Sequence, residues 1–358
     1  MLKLMESVLS CFPFDGEIAA CDRYGAGHIN ETYLVVTSKN TRYILQKVNQ
    51  SIFKDMDRLM ENIQAVTSWV SQRVNDPRCS MQLIQTVDGM NYLRHTDGSA
   101  WRAYAFIEDA ICLQQPETPS DFYESAVAFG TFQQLLADFP ASTLHETIPN
   151  FHDTRDRYRI FKEVLQKDSA GRAKEVQQEI AFVLARESDA GIIADLLDCG
   201  ELPLRVTHND TKLNNVMLDK ATRKALCVLD LDTVMPGSSL YDYGDSIRFG
   251  ASTGAEDEKD LNKIEMDLEL FRVYTEGFLN ACPGLTALEL KLLPLGAKLM
   301  TLECGVRFLT DYLDGDHYFA IHRPEHNLDR CRTQFKLVAD MEQKWDQMLR
   351  IVEELSDR

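Results

Sequence analysis

Hydrophobic and polar positions change their period about one third of the way along the chain. Short runs rich in β-branched and aromatic residues, typical of strands, occur in the first part at 31–37, 42–48, 81–87 and 101–107. The polar turn Ser38-Lys39-Asn40 joins the first two runs into a predicted β-hairpin. From Asp55 to Val70 apolar residues recur every three to four positions, which predicts an amphipathic helix. The first hundred residues therefore predict a small lobe of strands and one helix.

From about Ser120 the apolar positions follow a helical period. Predicted helices cover 122–136, 173–185, 261–279, 288–313 and 332–355, and β-like segments interrupt them around 204–207 and 225–231. The predicted fold class is therefore α+β with two lobes, a small antiparallel-sheet lobe at 1–108 and a larger, mainly helical lobe at 109–358. The apolar stripe of the last helix fits either a dimeric coiled-coil seam or packing onto its own lobe. Its short length favours the second, and hence a monomer.

Amino-acid composition limits the cellular compartments and the classes of binding partner that are expected for this chain. The 358 residues contain no apolar run of about 18 residues, which argues against a membrane span, and the N-terminus does not have the pattern of a signal peptide. Nine cysteines without paired spacing are typical of a reducing compartment, so a cytoplasmic location is expected. A net charge of −18 argues against nucleic-acid binding. The same charge could gather a cationic substrate, although solubility is the simpler explanation.

A polar loop between the two β-like segments has the composition of a phosphoryl-transfer site. His208, Asp210 and Asn215 form the pattern His-x-Asp-x-x-x-x-Asn, and Asp230 follows at the end of an apolar run. Phosphoryl transfer to a hydroxyl needs a carboxylate that orients the acceptor and takes its proton, together with oxygen ligands for Mg²⁺. Read alone, Asp230-Leu231-Asp232 also resembles the Asp-x-Asp metal motif of glycosyltransferases. No parallel βαβ pattern precedes it, which disfavours that alternative.

This loop resembles the catalytic loop of the protein-kinase-like superfamily, in its aminoglycoside phosphotransferase and choline kinase branch. The resemblance implies that Asp210 is the catalytic base and that Asn215 and Asp230 are ligands of Mg²⁺, with ATP as the phosphate donor. Asp232 is the alternative metal ligand, but the apolar-Asp-apolar pattern of the family favours Asp230. In the same family the first of two later acids, Asp242, braces the catalytic loop.

A second element of the resemblance lies at the start of the hairpin. The turn at 24–30 resembles a kinase glycine-rich loop, with nucleotide contacts at Gly25, Gly27 and Asn30, although Asn30 replaces the third glycine. The family expects a basic residue on the third strand of the small lobe, but that position holds Gln46, and Lys47 faces the other way. Two explanations stay open, a register shifted by one residue or phosphates held by another group. The usual glutamate partner on the following helix is equally undecided between Glu61 and Gln64.

Further blocks resemble the bacterial N-acetylhexosamine 1-kinases over nearly the whole chain. They include the segments 24–30, 42–46, 101–108, 151–154, 205–215, 231–237, 242–252, 303–313 and 324–328. This resemblance implies transfer of the γ-phosphate of ATP to the anomeric hydroxyl of N-acetylglucosamine or N-acetylgalactosamine. It also implies nucleotide contacts at Phe106, Ile107 and Glu108 and sugar contacts at Thr233, Arg307, Tyr318 and His28. Read without the resemblance, Arg307 is as well explained as a cation on a helix surface.

Two rival functions are compatible with the same loop. An aminoglycoside, choline or other small-molecule hydroxyl kinase would use the negative charge of the protein to attract a cation. A catalytically inactive kinase fold could act as an interaction module. The presence of Asp210, Asn215 and Asp230 together disfavours the inactive module.

Overall fold

Six antiparallel strands build the sheet of the smaller lobe in the computed structural model, which describes residues 2–25 and 29–357. These strands are β1 (Ile18–Arg23), β2 (Glu31–Thr37), β3 (Arg42–Val48), β4 (Leu83–Ile84), β5 (Leu93–Arg94) and β6 (Ala100–Ala105). Their order is β1-β2-β3-β6-β4, with β5 also paired to β6. The predicted hairpin is confirmed as β2 and β3, and its turn places Asn40 in the left-handed region with φ 62°.

Side-chain alternation gives this sheet two different faces. One face buries Leu45 and Trp101 in a cluster with helix α1 (Leu2–Leu9). Burial of side chains of this size stabilises the fold by about 1.5–3 kcal/mol each. The other face, which includes Ile44, looks toward helix α2 (Met56–Ser71) and the larger lobe. Helix α2 is confirmed close to its predicted bounds, and it begins where the Asp55 side chain accepts a hydrogen bond from the N–H of Arg58.

Two small sheets and nine further helices build the larger lobe within the described residues. The strands are β7 (Ala110–Cys112), β8 (Arg205–Thr207), β9 (Val216–Asp219), β10 (Ala225–Val228) and β11 (Met235–Gly237). The helices are α3 (Pro119–Leu135), α4 (Thr154–Lys167), α5 (Gln177–Leu184), α6 (Ile192–Asp198), α7 (Ser239–Gly250), α8 (Leu268–Ala281), α9 (Ala287–Asp314), α10 (His326–Gln343) and α11 (Trp345–Ser356). The sheet orders are β10-β9-β7 and β11-β8, so the chain passes from the first lobe to the second between β6 and β7.

Three predicted helices and one strand differ from the structure. The segment 173–185 begins with a short 3₁₀ turn before α5, and 81–87 contributes only the two residues of β4. The segment 261–279 has a 3₁₀ turn at Leu261–Lys263 and is α-helical only from Leu268, where the Asp267 side chain caps the N–H groups of Glu269 and Leu270. The segment 332–355 is interrupted at Lys344, whose ammonium group binds the carbonyl of Met266. Hydrophobic period alone does not show these capping and tertiary hydrogen bonds.

The terminal helices pack onto their own lobe. Val338, Met341, Met348 and Val352 are all buried in the main hydrophobic core of the chain. Their apolar stripe is therefore covered intramolecularly, as the second of the two interpretations predicts. Along the described residues, none of the helices combines the length and apolar character that a membrane crossing requires.

The crossing of α7 and α9 depends on two glycines. A Cβ atom built on Gly244 would lie 2.3 Å from the carbonyl oxygen of Gly296. We expect Gly244→Ala to lower the free energy of unfolding by about 1–3 kcal/mol, because two helix backbones would have to separate. A urea titration measures this change. Gly284→Ala is the control, because Gly284 lies outside the left-handed region and a Cβ atom there would meet only the end of the Gln134 side chain. A Gly244→Ala protein as stable as the wild type would show that this contact can relax without cost.

Candidate active site

The start of the loop between β8 and β9 is held by the buried carboxylate of Asp242. Asp242, on α7, accepts hydrogen bonds from the backbone N–H groups of His208 and Asn209, at 2.9 and 2.8 Å, and from the Gln133 side chain. Burial raises the pKa of Asp242, and the two N–H donors act against that increase. Asn209 adopts a left-handed conformation with φ 66°. The predicted bracing role of Asp242 is confirmed, and the loop bend is thereby fixed.

The side chain of Asp210 projects from this braced loop and is partly open to solvent. Asn215 donates through Nδ2 to the Asp210 carbonyl oxygen at 2.8 Å and to its Oδ2 at 3.1 Å. Lys212 forms an ion pair with the other carboxylate oxygen at 2.8 Å. Desolvation opposes the charge of Lys212, but Asp210 and Asp245 outweigh it and raise the pKa of the ammonium group. Lys212 is a site residue that sequence reasoning missed, although it lies inside the motif itself.

Asp230 lies two residues beyond the end of β10 and faces the catalytic loop. Its backbone is left-handed, with φ 56°, and its side chain is exposed to solvent. The turn is tied to the loop because the preceding Leu229 donates to the Asn215 carbonyl and accepts from His208 Nε2 at 2.7 Å. Desolvation by the surrounding protein, followed by the charges of Asp232 and Asp210, raises the pKa of Asp230 to about 7. Solvent that reaches the side chain screens part of this effect.

The oxygen donors on this side of the loop fit a hard divalent cation. The amide nitrogen of Asn215 is engaged with Asp210, so its amide oxygen can act as a metal ligand. The backbone of Asn215 is tied to the turn that carries Asp230, because its carbonyl accepts the N–H of Leu229. The described residues contain no cluster of three or more histidine, cysteine, aspartate or glutamate side chains suited to a metal. Mg²⁺ commonly takes only one or two protein oxygens and completes its octahedral shell with phosphate and water. The residues present are therefore sufficient for that ion.

Asp232 has a different environment from Asp230. It lies in the 3₁₀ turn after β10 rather than on a strand, so strand alternation does not point the two acids to the same face. Its side chain forms a buried ion pair with Arg102 and accepts a hydrogen bond from Asn30 at 2.7 Å. Both carboxylate oxygens already have protein partners. This engagement favours Asp230 over Asp232 as the free carboxylate of the site.

The register of β3 excludes one of the two explanations for its missing lysine. Gln46 pairs with Arg102 of β6 in the sheet and accepts a hydrogen bond from its Nε at 3.0 Å. Lys47 points to the opposite face and reaches Glu31 at 3.4 Å. The register is therefore not shifted by one residue, and Gln46 occupies the position at which the family expects a basic residue.

Neither candidate on α2 replaces the expected glutamate partner. Glu61 pairs with His145 at 2.7 Å, and Gln64 donates to Ser68 on its own helix. The polar residue of α2 that is buried toward the larger lobe is Asn62, which donates to the carbonyl of Val234. A lysine–glutamate pair between β3 and α2 is therefore replaced here by other contacts.

The predicted nucleotide-binding residues lie in two places. Phe106, Ile107 and Glu108 occupy the segment between β6 and β7, where Arg42 stacks over the Phe106 ring at 4.2 Å and forms an ion pair with Glu108. Gly25 has φ 77° and open space at its Cβ position.

The other residues predicted in the glycine-rich turn are Gly27, His28 and Asn30. Gly27 lies outside the described residues, as does His28, which was assigned to the sugar. Asn30 uses its side chain to bind Asp232 and the N–H of Asn49, and this tie between segments was not foreseen from the sequence. Its nucleotide contact stays a prediction.

The predicted sugar-binding residues Arg307 and Tyr318 lie together at one end of the site. The Arg307 guanidinium is surrounded by the rings of Phe151, Tyr318 and Phe319 at 5.4, 5.8 and 5.5 Å. Tyr318 is 69% exposed, so its ring is available to a ligand. Arg307 is partly buried among aromatic rings rather than lying free on a helix surface, which argues against the simpler interpretation of this residue.

A short chain of contacts connects this aromatic cluster to the catalytic loop. His152 lies with Nδ1 2.8 Å from Glu303 and Nε2 3.3 Å from the carbonyl oxygen of Asn209, the neighbour of Asp210. Burial alone would raise the pKa of Glu303, but His152, Arg157 and Arg307 lower it overall. His152 therefore connects the aromatic cluster, through its contact with the Phe151 ring, to the residue that precedes Asp210.

Thr233 also belongs to the site, but its hydroxyl is already engaged. It donates to the carbonyl oxygen of His208 at 2.6 Å, and its own carbonyl accepts from the Asn209 side chain. Thr233 therefore fixes the catalytic loop to the turn that carries Asp230. A sugar could use only the lone pairs of this hydroxyl, and that contact stays a prediction.

The chain has two lobes joined by one short segment. Its catalytic loop carries Asp210 and Asn215, and Asp230 follows the end of a strand. These features together are those of a protein-kinase-like phosphotransferase. The family description that matches residues 21–271 is the APH phosphotransferase enzyme family. This match covers more than half of the sequence, and the chain belongs to that family.

Solved structures share the fold at low sequence identity. An aminoglycoside phosphotransferase from Alicyclobacillus acidocaldarius is 13% identical, with TM-score 0.61 and coverage of 98% of this chain and 96% of the other. A microcompartment-associated aminopropanol kinase is 15% identical, with TM-score 0.59 and coverage of 98% and 99%. An amicoumacin kinase in complex with AMP-PNP and Ca²⁺ is 11% identical, with TM-score 0.58 and coverage of 96% and 93%. These likenesses confirm the two-lobed kinase-like fold.

Proposed function

We propose that this chain is an ATP-dependent kinase that phosphorylates the anomeric 1-hydroxyl of an N-acetylhexosamine, N-acetylglucosamine or N-acetylgalactosamine. The observation that carries the proposal is the connection of Asp210 to the aromatic cluster around Arg307 through Asn209, His152 and Glu303. This connection supports an acceptor site in which the candidate base acts together with an arginine and an exposed aromatic ring. A neutral sugar is commonly bound by such planar donors and stacking surfaces.

Asp210 has the contacts of a residue that orients and deprotonates an acceptor hydroxyl. The amide nitrogen of Asn215 and the ammonium group of Lys212 each contact one carboxylate oxygen and fix its direction. The anomeric hydroxyl is a hemiacetal and therefore more acidic than an ordinary alcohol. A carboxylate held in position is consequently an adequate base, and positioning supplies most of the catalysis.

The proposed metal site follows from the same arrangement. Asp230 and the amide oxygen of Asn215 would hold Mg²⁺ on the side of the loop that faces the turn after β10. When bound, the ion neutralises charge on the triphosphate. Gly25, Phe106, Ile107 and Glu108 are proposed to hold the nucleotide where the two lobes meet.

The charge of the acceptor side disfavours an amine kinase. Arg157 lies beside Arg307, and burial, followed by the charge of Arg307, lowers its pKa. Arg157 donates to the Phe151 carbonyl at 2.5 Å, while its Nε is buried without a partner among the described residues. A cationic substrate would approach two arginines, whereas a neutral acetamido sugar offers a carbonyl oxygen as acceptor. The overall charge of −18 does not describe this local surface.

Substrate selectivity tests the proposal directly. We expect N-acetylglucosamine or N-acetylgalactosamine to exceed glucose and galactose by roughly ten- to a thousandfold in kcat/KM. The reason is that a site built for an amide leaves buried groups unpaired without it, at about 1–3 kcal/mol for each group. A coupled ADP-release assay on these sugars, choline and an aminoglycoside measures the preference. Phosphorus NMR should show an acid-labile 1-phosphate; a 6-phosphate, or faster turnover of the amines, would contradict the proposal.

A single variant tests the acceptor side separately from the nucleotide side. Arg307→Ala is expected to raise the sugar KM at least tenfold and to leave the KM for ATP within about twofold, because a lost charged hydrogen bond costs about 1.5–3 kcal/mol. Lys291→Ala is the matched control, since Lys291 is exposed on the same helix. Equal changes in the two KM values would show that Arg307 supports the fold rather than the sugar.

A further inference from the structure

A fully buried arginine lies at the back of the site, on the strand that leads into the segment between the lobes. Arg102 is 1% exposed, and its guanidinium forms an ion pair with Asp232 of the larger lobe, whose side chain is 4% exposed. Desolvation opposes its charge, but Asp232, Tyr104 and Asp230 together outweigh desolvation and raise the pKa of Arg102. The arginine is therefore charged, although water does not reach it. Such a pair needs additional hydrogen bonds to offset its desolvation.

Those additional bonds connect four separate segments of the chain. The Nε of Arg102 donates to Gln46 of β3, and Gln46 in turn donates to Thr32 of β2 at 3.1 Å. On the far side, Asp232 accepts from Asn30, whose own oxygen accepts the N–H of Asn49 at 3.0 Å. One guanidinium thus joins the end of the glycine-rich turn, two neighbouring strands and the turn after β10.

The position of this network relative to Asp230 points to a functional role. Asp230 and Asp232 belong to one short turn, so a group that fixes Asp232 also limits where the Asp230 carboxylate can lie. The side chain of Asp230 has no hydrogen bond of its own among the described residues that would fix it instead. Arg102 also lies beside Gln46, the position at which the family expects a basic residue. No residue of α2 forms the usual glutamate partner there, since Glu61 is paired with His145.

We propose that Arg102 is a positioning residue for the phosphoryl-transfer site, pairing with Asp232 across the two lobes to hold the turn that presents Asp230. In this chain the pair performs the organising role that the missing strand lysine and helix glutamate would have. The inference rests on the proposed function of Asp230 as a metal ligand. It predicts that, in variants that remain folded, loss of the pair weakens metal binding and leaves sugar binding unchanged.

Metal binding without turnover is the decisive measurement. Mn²⁺ binding to the protein with ADP present, followed by electron paramagnetic resonance, is expected to weaken at least tenfold in Arg102→Gln. Arg102→Lys should recover part of the loss, because it keeps the charge but not the planar fork that reaches Gln46 and Asp232 together. Arg94→Gln is the control, since Arg94 is an exposed arginine on neighbouring β5. The sugar KM of the active variants should stay within about twofold of the wild type.

A second variant keeps the test valid if the single substitution does not fold. Arg102→Met/Asp232→Leu removes both charges at similar volume and leaves no unpaired buried ion, so a folded protein is expected. In that protein Mn²⁺ binding should again weaken at least tenfold, and hydrogen exchange of residues 229–235 should rise in the metal-free state. Wild-type Mn²⁺ affinity in the folded double variant would overturn the proposal, because the network would then be purely structural.

The reference variant separates this inference from the proposed function. Asp230→Ala, titrated in parallel, is expected to weaken Mn²⁺ binding more than either change at Arg102. If Asp230→Ala binds Mn²⁺ normally, the assignment of the metal ligand fails. If Asp230→Ala weakens binding and the changes at Arg102 do not, only the positioning role of Arg102 fails.

Discussion

Asp210→Asn is expected to lower kcat by at least 10²–10⁴-fold, the range typical of a lost general acid–base group, in a protein that keeps its fold. The substitution preserves shape and removes the proton acceptor. The contacts that brace the loop are made by Asp242 and Thr233, so they do not depend on the charge of Asp210. The ion pair with Lys212 would be lost, which adds to the effect on the site.

Single-turnover and steady-state rates, together with a thermal melt, measure this effect. Asp138→Asn is a suitable control, because Asp138 is exposed in the loop that follows α3. The KM for ATP should change far less than kcat, since Asp210 is assigned to the acceptor. Turnover within tenfold of the wild type in the folded variant would remove Asp210 from the role of base.

The two neighbouring acids should respond in opposite ways when each is replaced by alanine. Asp230→Ala is expected to abolish Mg²⁺-dependent turnover. It should destabilise the metal-free protein by no more than about 1–2 kcal/mol, the cost of alanine in a left-handed conformation, because the described structure shows no hydrogen bond to the Asp230 side chain. Asp232→Ala is expected to lower the free energy of unfolding by about 3–5 kcal/mol, since it leaves the guanidinium of Arg102 buried without its counter-ion. Asp230→Ala removes a proposed metal ligand, whereas Asp232→Ala removes the counter-ion of a buried arginine.

The pH dependence of the metal-free protein gives an independent check on Asp230. The fold raises its pKa from 3.8 to about 7, so the folded chain binds this proton more tightly than the unfolded chain. Ionisation between those values therefore lowers stability as pH rises. Asp230→Ala should lack that part of the decline.

Urea titrations at several pH values, with activity measured on the same samples, distinguish the two acids. A strongly destabilised Asp230→Ala together with a stable but inactive Asp232→Ala would reverse the assignment of ligand and support. Asp267→Ala serves as a control for loss of a carboxylate that only caps a helix, with an expected cost of about 0.5–2 kcal/mol.

Local sequence determined the elements whose causes are themselves local. The hairpin at 31–37 and 42–48 and the helix at 56–71 follow from alternation, a polar turn and an Asp55 cap, all within a few residues. The catalytic loop was recognisable because its acid and amide stand at a short, constant spacing. Hydrophobic period was less reliable in the larger lobe, where a cap at Asp267 begins one helix later than the apolar pattern predicts, and a contact at Lys344 ends another that the pattern would continue.

Only the tertiary structure decided the roles of residues that have similar local sequence. Asp230 and Asp232 both lie in an apolar-acid alternation, and what separates them is an ion pair between Asp232 and Arg102, which are 130 positions apart in the sequence. Gln46 and Lys47 are likewise distinguished by the partner strand, which places Arg102 beside Gln46. The physical reason is that a buried charge is stable only beside its partner. The fold, rather than the chain sequence around each acid, brings that partner into place.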